Sequence, residues 1–235
     1  MDPVVEAGQP GVQAQADLAA LPLGELARSY PQALGLLRRL RLDYCCGGAR
    51  TLREAAVERG LDPLQVQQEI VGLLPVASDA PQQPVQLIVH IRQRFHDTHR
   101  AELPELARLA HKVERVHRDH PQLPAGLGEL LERTLQELSE HMDKEEQILF
   151  PMMQRAAPGM GLDAPIARMR AEHEDHGQLL AELRRLSGDG HAPADACNSW
   201  RALVAGVDKF SDDLIQHIHL ENNLLFPAFE AARRA

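Results

Sequence analysis

Two stretches share one pattern of metal-binding side chains. His141-Met-Asp-Lys-Glu145-Glu-Gln-Ile-Leu-Phe150-Pro151 and His217-Ile-His-Leu-Glu221-Asn-Asn-Leu-Leu-Phe226-Pro227 both read H-x-x-x-E-x-x-x-L-F-P, offset by 76 residues. On a helix, residues four apart share a face and stand about 6 Å apart along the axis. A neutral imidazole and a carboxylate then aim at one point, and both are metal ligands. The repeat extends upstream. His96-Asp-Thr-His99 lies 45 residues before His141, and His173-Glu-Asp-His176 lies 44 before His217. Each half thus supplies H-x-x-H on one segment and H-x-x-x-E on the next, and two halves make four helices around a common centre.

The apolar stripes predict that these ligands face inward. The second helix carries Leu127, Leu131, Thr134, Leu138, His141, Glu145 and Leu149 in steps of three and four. The fourth carries Trp200, Leu203, Val207, Phe210, Leu214, His217, Glu221 and Leu225. The third carries Ile166, Met169, His173, His176, Leu180 and Leu183, and the first Val89, His96, His99, Leu103 and Leu106. Such spacing places a residue on the core side of a helix. A lone core histidine is ordinarily a hydrogen-bonded structural residue. An unpaired carboxylate in a core costs several kcal/mol or becomes protonated, so two converging glutamates call for cations.

One histidine from each helix, with two bridging carboxylates, leaves two imidazoles for each of two ions, and open positions for small molecules. Zinc sites are usually mononuclear and tetrahedral, and calcium and magnesium prefer oxygen shells. Mixed imidazole and carboxylate in a helical bundle suits iron, with manganese second. Fewer anions than in a carboxylate-rich storage site imply weaker hold on ferric ions.

The remaining histidines have blander readings. His117 continues the stripe of His96, but 21 residues of helix span about 31 Å; only a break at Pro104 would fold it back. His99 and His176 are expected around the site or at the surface, and His90, His111, His120, His191 and His219 in solvated or structural roles. Glu146 is expected to be a surface charge.

The elements that position these groups are helical throughout. Aromatic content is 3 %, and the formal charge of −9 with no basic stripe speaks against a nucleic-acid surface. No apolar run approaches the roughly 20 residues that span a bilayer, the first residues do not read as a signal peptide, and three cysteines make no secreted disulfide framework. The expectation is a soluble cytoplasmic protein. Residues 1–17 are Gly-, Pro- and Gln-rich and expected to be disordered. Residues 18–75 predict a small helical domain: a turn at Leu23–Arg28, a helix from Pro31 to about Leu40, a capping box at Thr51–Glu54, and a helix from Asp62-Pro63 to about Leu74. Its core is marginal, so it is expected to lean on the larger domain or on a partner chain; a homodimer is one such arrangement.

Residues 75–84 read as a linker. Four long helical patterns follow within 85–233, at about 85–118 with a kink at Pro104, 125–156, 163–187 and 194–233. Short breaks between long helices predict an all-α, up-down-up-down four-helix bundle. Cys45-Cys46, in the loop Asp43-Tyr-Cys-Cys-Gly-Gly48, is a second chemical feature. Adjacent cysteines close only a strained eight-membered ring, so a structural disulfide is not expected. A thiol pair that binds a metal or cluster, or exchanges disulfides with a partner, is the functional reading; two small residues in a tight loop is the bland one. Cys197 is expected to be packed.

With these residues in view, the chain resembles the iron–sulfur cluster repair di-iron proteins, the Repair of Iron Centers family, which carry a hemerythrin-like domain. The resemblance rests on Asp43–Gly48, Phe95–Leu106, Lys112–His117, Lys144–Pro151 and Leu220–Pro227. It implies two non-haem iron ions bound by His96, His141, His173 and His217, bridged by Glu145, Glu221 and an oxo or hydroxo group. It implies repair of iron–sulfur proteins damaged by nitric oxide or peroxide, by donation of iron, with Cys45 and Cys46 as the family's N-terminal signature. The alternative is a nitric oxide reductase that makes nitrous oxide; NO or O2 would be the small ligands in either case. Gly177 stands where a further histidine would follow His173 by four, which weakens a five-histidine oxygen carrier.

Overall fold

The structure, a computed structural model, describes residues 17–74, 80–155 and 161–231. The segment expected to be disordered lies outside these residues apart from Asp17, as do residues 75–79 of the linker. Among the described residues there is no β-strand, only an isolated bridge between Pro22 and Thr51. No helix among them is long and apolar enough to cross a membrane.

The N-terminal part holds α1 (Leu23–Ser29), α2 (Leu34–Arg39), α3 (Leu52–Glu58) and α4 (Pro63–Gly72). The helix expected from Pro31 begins as a 3-10 turn, Pro31–Ala33, before α2. Thr51 and Glu54 form the reciprocal capping box, and Asp62 caps α4 by accepting from the Leu64 N–H, with Pro63 at the first helical position. Between α2 and α3, one oxygen of Asp43 accepts the backbone N–H groups of Cys45 (3.1 Å) and Cys46 (2.9 Å). Gly48 then passes so close to α1 that a Cβ there would lie 2.8 Å from the Tyr44 carbonyl oxygen and 3.2 Å from the Gly24 Cα.

The bundle consists of α5 (Pro84–Ile91) running through a π-turn (Arg92–His96) into α6 (Asp97–Val116); α7 (Leu127–Lys144), through Glu145–Leu149, into α8 (Phe150–Gln154); α9 (Asp163–Leu186); and α10 (Asn198–His219), through Leu220–Leu225, into α11 (Phe226–Ala231). Two apolar clusters fill it. One joins the N-terminal helices to residues such as Leu103, Leu131, Leu180 and Leu214, so the small unit leans on the bundle. The other gathers Ile91, Phe95, Leu149, Phe150, Ile166, Met169, Leu225 and Phe226. The first and third long helices pass from the second cluster to the first, and the second and fourth pass the other way. That is up-down-up-down order, and the six candidate ligands lie where the helices change cluster.

Two expectations about the first long helix need correction. Pro104 sits inside continuous α6, and the departure from α geometry is the π-turn at Arg92–His96. A π-turn adds a residue to one turn and rotates everything beyond it by about 100°. Val89 therefore falls off the stripe of His96 and is 42 % exposed, while Leu87, Ile88 and Ile91 are buried. The stripes expected on the other three helices are buried throughout.

Because Gly48 meets backbone rather than a flexible side-chain tip, Gly48→Ala is expected to cost about 1–3 kcal/mol, read from urea unfolding. An unchanged midpoint would show that the loop relaxes freely.

Candidate metal centre

The four long helices bring His96, His141, Glu145, His173, His217 and Glu221 to one level, each at most 1 % exposed. Their donor atoms form two groups, His96–Glu145–His217–Glu221 and His141–Glu145–His173–Glu221, each with its atoms within 4.8 Å of one another. Both glutamates belong to both groups. Glu145 sets Oε2 3.4 Å from His96 Nε2 and Oε1 3.4 Å from His141 Nε2. Glu221 sets Oε2 3.1 Å from His173 Nε2 and Oε1 3.3 Å from His217 Nε2. The imidazoles face each other by Nε2, at 3.1 Å for His96 and His217 and 3.2 Å for His173 and His141.

These are separations of ligands around a shared ion. For bonds of about 2.1 Å, neighbouring ligands stand about 3.0 Å apart in an octahedron and about 3.4 Å apart in a tetrahedron. The stronger observation is orphaned polarity. All four carboxylate oxygens of Glu145 and Glu221 are buried without a hydrogen-bond partner, because the nearby imidazoles are not oriented to donate. Buried carboxylates without donors require cations, so the residues present fit a pair of metal ions.

Three histidines are held from behind. Glu146 Oε1 accepts from His96 Nδ1 at 2.7 Å and is clamped by Arg100 at 2.7 Å. Glu172 Oε2 accepts from His141 Nδ1 at 2.8 Å, and its other oxygen takes Lys144 and Arg168, each at 2.8 Å. Asn222 Oδ1 accepts from His173 Nδ1 at 2.9 Å, its orientation set by Nδ2, which donates to the Cys45 carbonyl at 2.9 Å. An ionised carboxylate can only accept, so in the neutral rings of His96 and His141 it is Nδ1 that carries the proton, and Nε2 presents its lone pair to the centre.

Glu146 is thus no surface charge, correcting the sequence expectation, and Glu172 and Asn222 were not anticipated at all. Each is the chain neighbour of a candidate ligand: Glu145, His173 and Glu221. A residue one step along a helix turns about 100° away, far enough to reach the ligand of an adjacent helix. That adjacency is the signal by which they could have been found.

His99 and His176 are buried, at 0 % and 4 % exposure, rather than at the surface. His99 packs among Phe95, Phe210 and His217, and His176 stands edge-on to His141. His117 belongs elsewhere, with Nε2 3.1 Å from Cys197 and its ring against Trp200. Cys197 is exposed rather than packed. His219 is buried, its ring edge against Tyr44 and its Nδ1 bonded to Asn223.

The cysteine loop rests directly on the site. The Cys46 thiol donates to the His173 carbonyl at 3.1 Å, and Asn223 donates to the Tyr44 carbonyl at 2.9 Å. A Cβ on Gly177 would stand 3.4 Å from Cys46 Sγ, so the position lacking a further histidine is the one that Cys46 covers. The two thiols are free and their sulfurs 3.5 Å apart. The hydrogen bond to Cys46, burial and the charge of Asp43 hold the Cys45 thiol well above its ordinary pKa.

Without cations, electrostatics around the centre are severe. Burial opposes a charge on His141, yet Glu145, Glu172 and Glu221 raise its pKa to about 10. Burial likewise disfavours ionised Glu145, but His141 and His96 hold it well below the carboxylate range. His176 is pushed down to about 3 by burial and by the neighbouring histidines. His141, raised from 6.5, contributes stability that is complete below about pH 6.5 and lost as pH rises through about 10. Chelator-stripped protein should therefore lose thermal stability between pH 7 and pH 10, more than metal-loaded protein, in which His141 is a neutral ligand. A midpoint for stripped protein that stays level over that interval would contradict this electrostatic picture.

Residues 87–229 match the family described as Hemerythrin HHE cation binding domain, and residues 20–73 match a domain of unknown function, DUF542. The chain is 47 % identical to the iron–sulfur cluster repair protein YtfE of Citrobacter koseri over 88 % of this chain and 94 % of that one. It is 49 % identical to the protein of the same name from Dickeya chrysanthemi, over 87 % and 94 %. For an Escherichia coli relative of that name the values are 46 %, 88 % and 94 %. A four-helix bundle with paired His/Glu groups at its waist, matched over most of its length, makes the chain a member of the hemerythrin HHE family and of the iron–sulfur cluster repair proteins within it.

Proposed function

We propose that this protein repairs damaged iron–sulfur clusters by donating iron from a centre of two non-haem irons held by His96, His141, His173 and His217 and bridged by Glu145 and Glu221. The observation that carries the reading is the pair of buried glutamates, each with one oxygen in either donor group and neither with a hydrogen-bond donor. The repair function named for the relatives gives it its direction. The clients are iron–sulfur proteins, and the site of action is the cytoplasm, where three free cysteines suit a reducing compartment.

Iron supplies Lewis acidity and one-electron chemistry when bound, with positions open to NO or O2. The chain itself does the holding. Glu146, Glu172 and Asn222 fix the orientation of His96, His141 and His173, so that three of the four Nε2 lone pairs are held toward the centre without rearrangement. Only two carboxylates neutralise the pair of ions. Four neutral imidazoles add no negative charge, which weakens the grip on ferric iron and eases ferrous release. No observation favours the alternative of a nitric oxide reductase.

Two experiments test the proposal. Protein loaded with ferrous iron should reactivate a cluster-depleted or nitrosylated iron–sulfur protein faster than free iron at equal concentration; equal rates would sink the donor role. Glu145→Ala and Glu221→Ala should abolish most iron binding, and Glu146→Ala should weaken it ~10–100-fold, while His111→Ala, on the surface beside Glu132, keeps normal iron. Full iron in Glu145→Ala would remove the ligand assignment.

A further inference from the structure

Beside the iron site, where the cysteine loop and α2 meet α9, lies a cleft of about 450 Å3, a size typical of small-molecule sites. Cys45 and Cys46 line it, and so do Arg38, Arg41, Arg59, Arg184 and Arg185. Against these five arginines stand Asp43 and Asp189 in the lining and Asp212 just behind it, five positive charges against three negative, a net formal charge of +2 in a chain whose total is −9. Arg38 and Arg184 pair with Asp212, and Arg41 with Asp189. Arg59 and Arg185 are exposed, and no acidic group among the described residues pairs with either. Two uncommitted guanidinium groups at one cleft suit carboxylates, which they can engage bidentately.

The thiols add reactivity to this charge. Cys45 is 6 % exposed and Cys46 is more open. Closing the pair into a disulfide would strain an eight-membered ring, so oxidation of Cys46 is best relieved by a sulfur from outside. We propose that the cleft binds a small disulfide bearing carboxylates, and that Cys46 exchanges with it to form a mixed disulfide. The Cys46 thiol gives its proton to solvent, and its sulfur attacks one sulfur of the incoming disulfide. The incoming S–S bond breaks as the new one forms; the departing half leaves as a thiolate and takes up a proton. Cys46 is oxidised, the departing half is reduced, and one disulfide replaces another. The adduct replaces the Cys46 hydrogen bond to the His173 carbonyl. No metal takes part, so this site stands or falls separately from iron donation.

The test uses the full chain as purified and two probes, oxidised glutathione, which is anionic, and cystamine, which is cationic. Mass spectrometry with peptide mapping follows each adduct, and each rate is divided by that of the same probe with N-acetylcysteine. Cys46 should react with oxidised glutathione at least ~10-fold faster than with cystamine on this scale, the advantage shrinking as salt is raised. Replacing both exposed arginines, Arg59→Gln with Arg185→Gln, should erase most of that advantage without slowing cystamine. Equal normalised rates, an adduct confined to Cys45 or Cys197, or arginine variants that behave as wild type would overturn the proposal.

Discussion

Two buried carboxylates with no hydrogen-bond donor oriented toward them govern this structure. Glu145 and Glu221 are fully buried, and none of their oxygens has a hydrogen-bond partner. Carboxylates so placed would unfold the bundle, be neutralised by protons, or bind cations. The surrounding imidazoles, turned to present nitrogen lone pairs, favour cations. The remaining architecture keeps this arrangement in place.

Three π-turns lie at the level of the site, one ending at His96, one beginning at Glu145 and one containing Glu221. A widened turn re-aims a side chain that regular helix would point elsewhere, and such bulges recur at functional sites. Behind the ligands stand Glu146 and Glu172, themselves clamped by arginine and lysine, so these rings turn only if ion pairs break. Asn222 performs the same service for His173 while holding the Cys45 carbonyl, and Cys46 holds the His173 carbonyl in turn. The N-terminal unit is thereby tied to a residue of the centre, and its dithiol faces a cationic cleft.

Much of this was legible in the residues. Ligand types repeated at matched spacing, and helical stripes of Leu and Val ran through His141, Glu145, His217 and Glu221, because period and burial are local properties of a helix. Val89 was misplaced because a π-turn leaves no mark in the hydrophobic pattern except the phase error it causes. Glu146 looked like a surface charge because a single helix shows only its own faces; its partner, His96, comes from another helix 50 residues away. The docking of Cys46 on His173 spans 127 residues and depends on how two units pack, which periodicity does not encode. His99 and His176 lie on buried stripes, and of the two places expected for them, around the site or at the surface, they take the first.

Both glutamates are proposed to bridge the same pair of irons. X-ray absorption at the iron edge on reconstituted protein reports it most directly, through the nearest scatterers and any second iron. Nitrogen and oxygen ligands with imidazole outer-shell features are expected, together with a second iron within about 4 Å. Iron with no iron neighbour, or with sulfur as its main ligand, would contradict the proposed bridging.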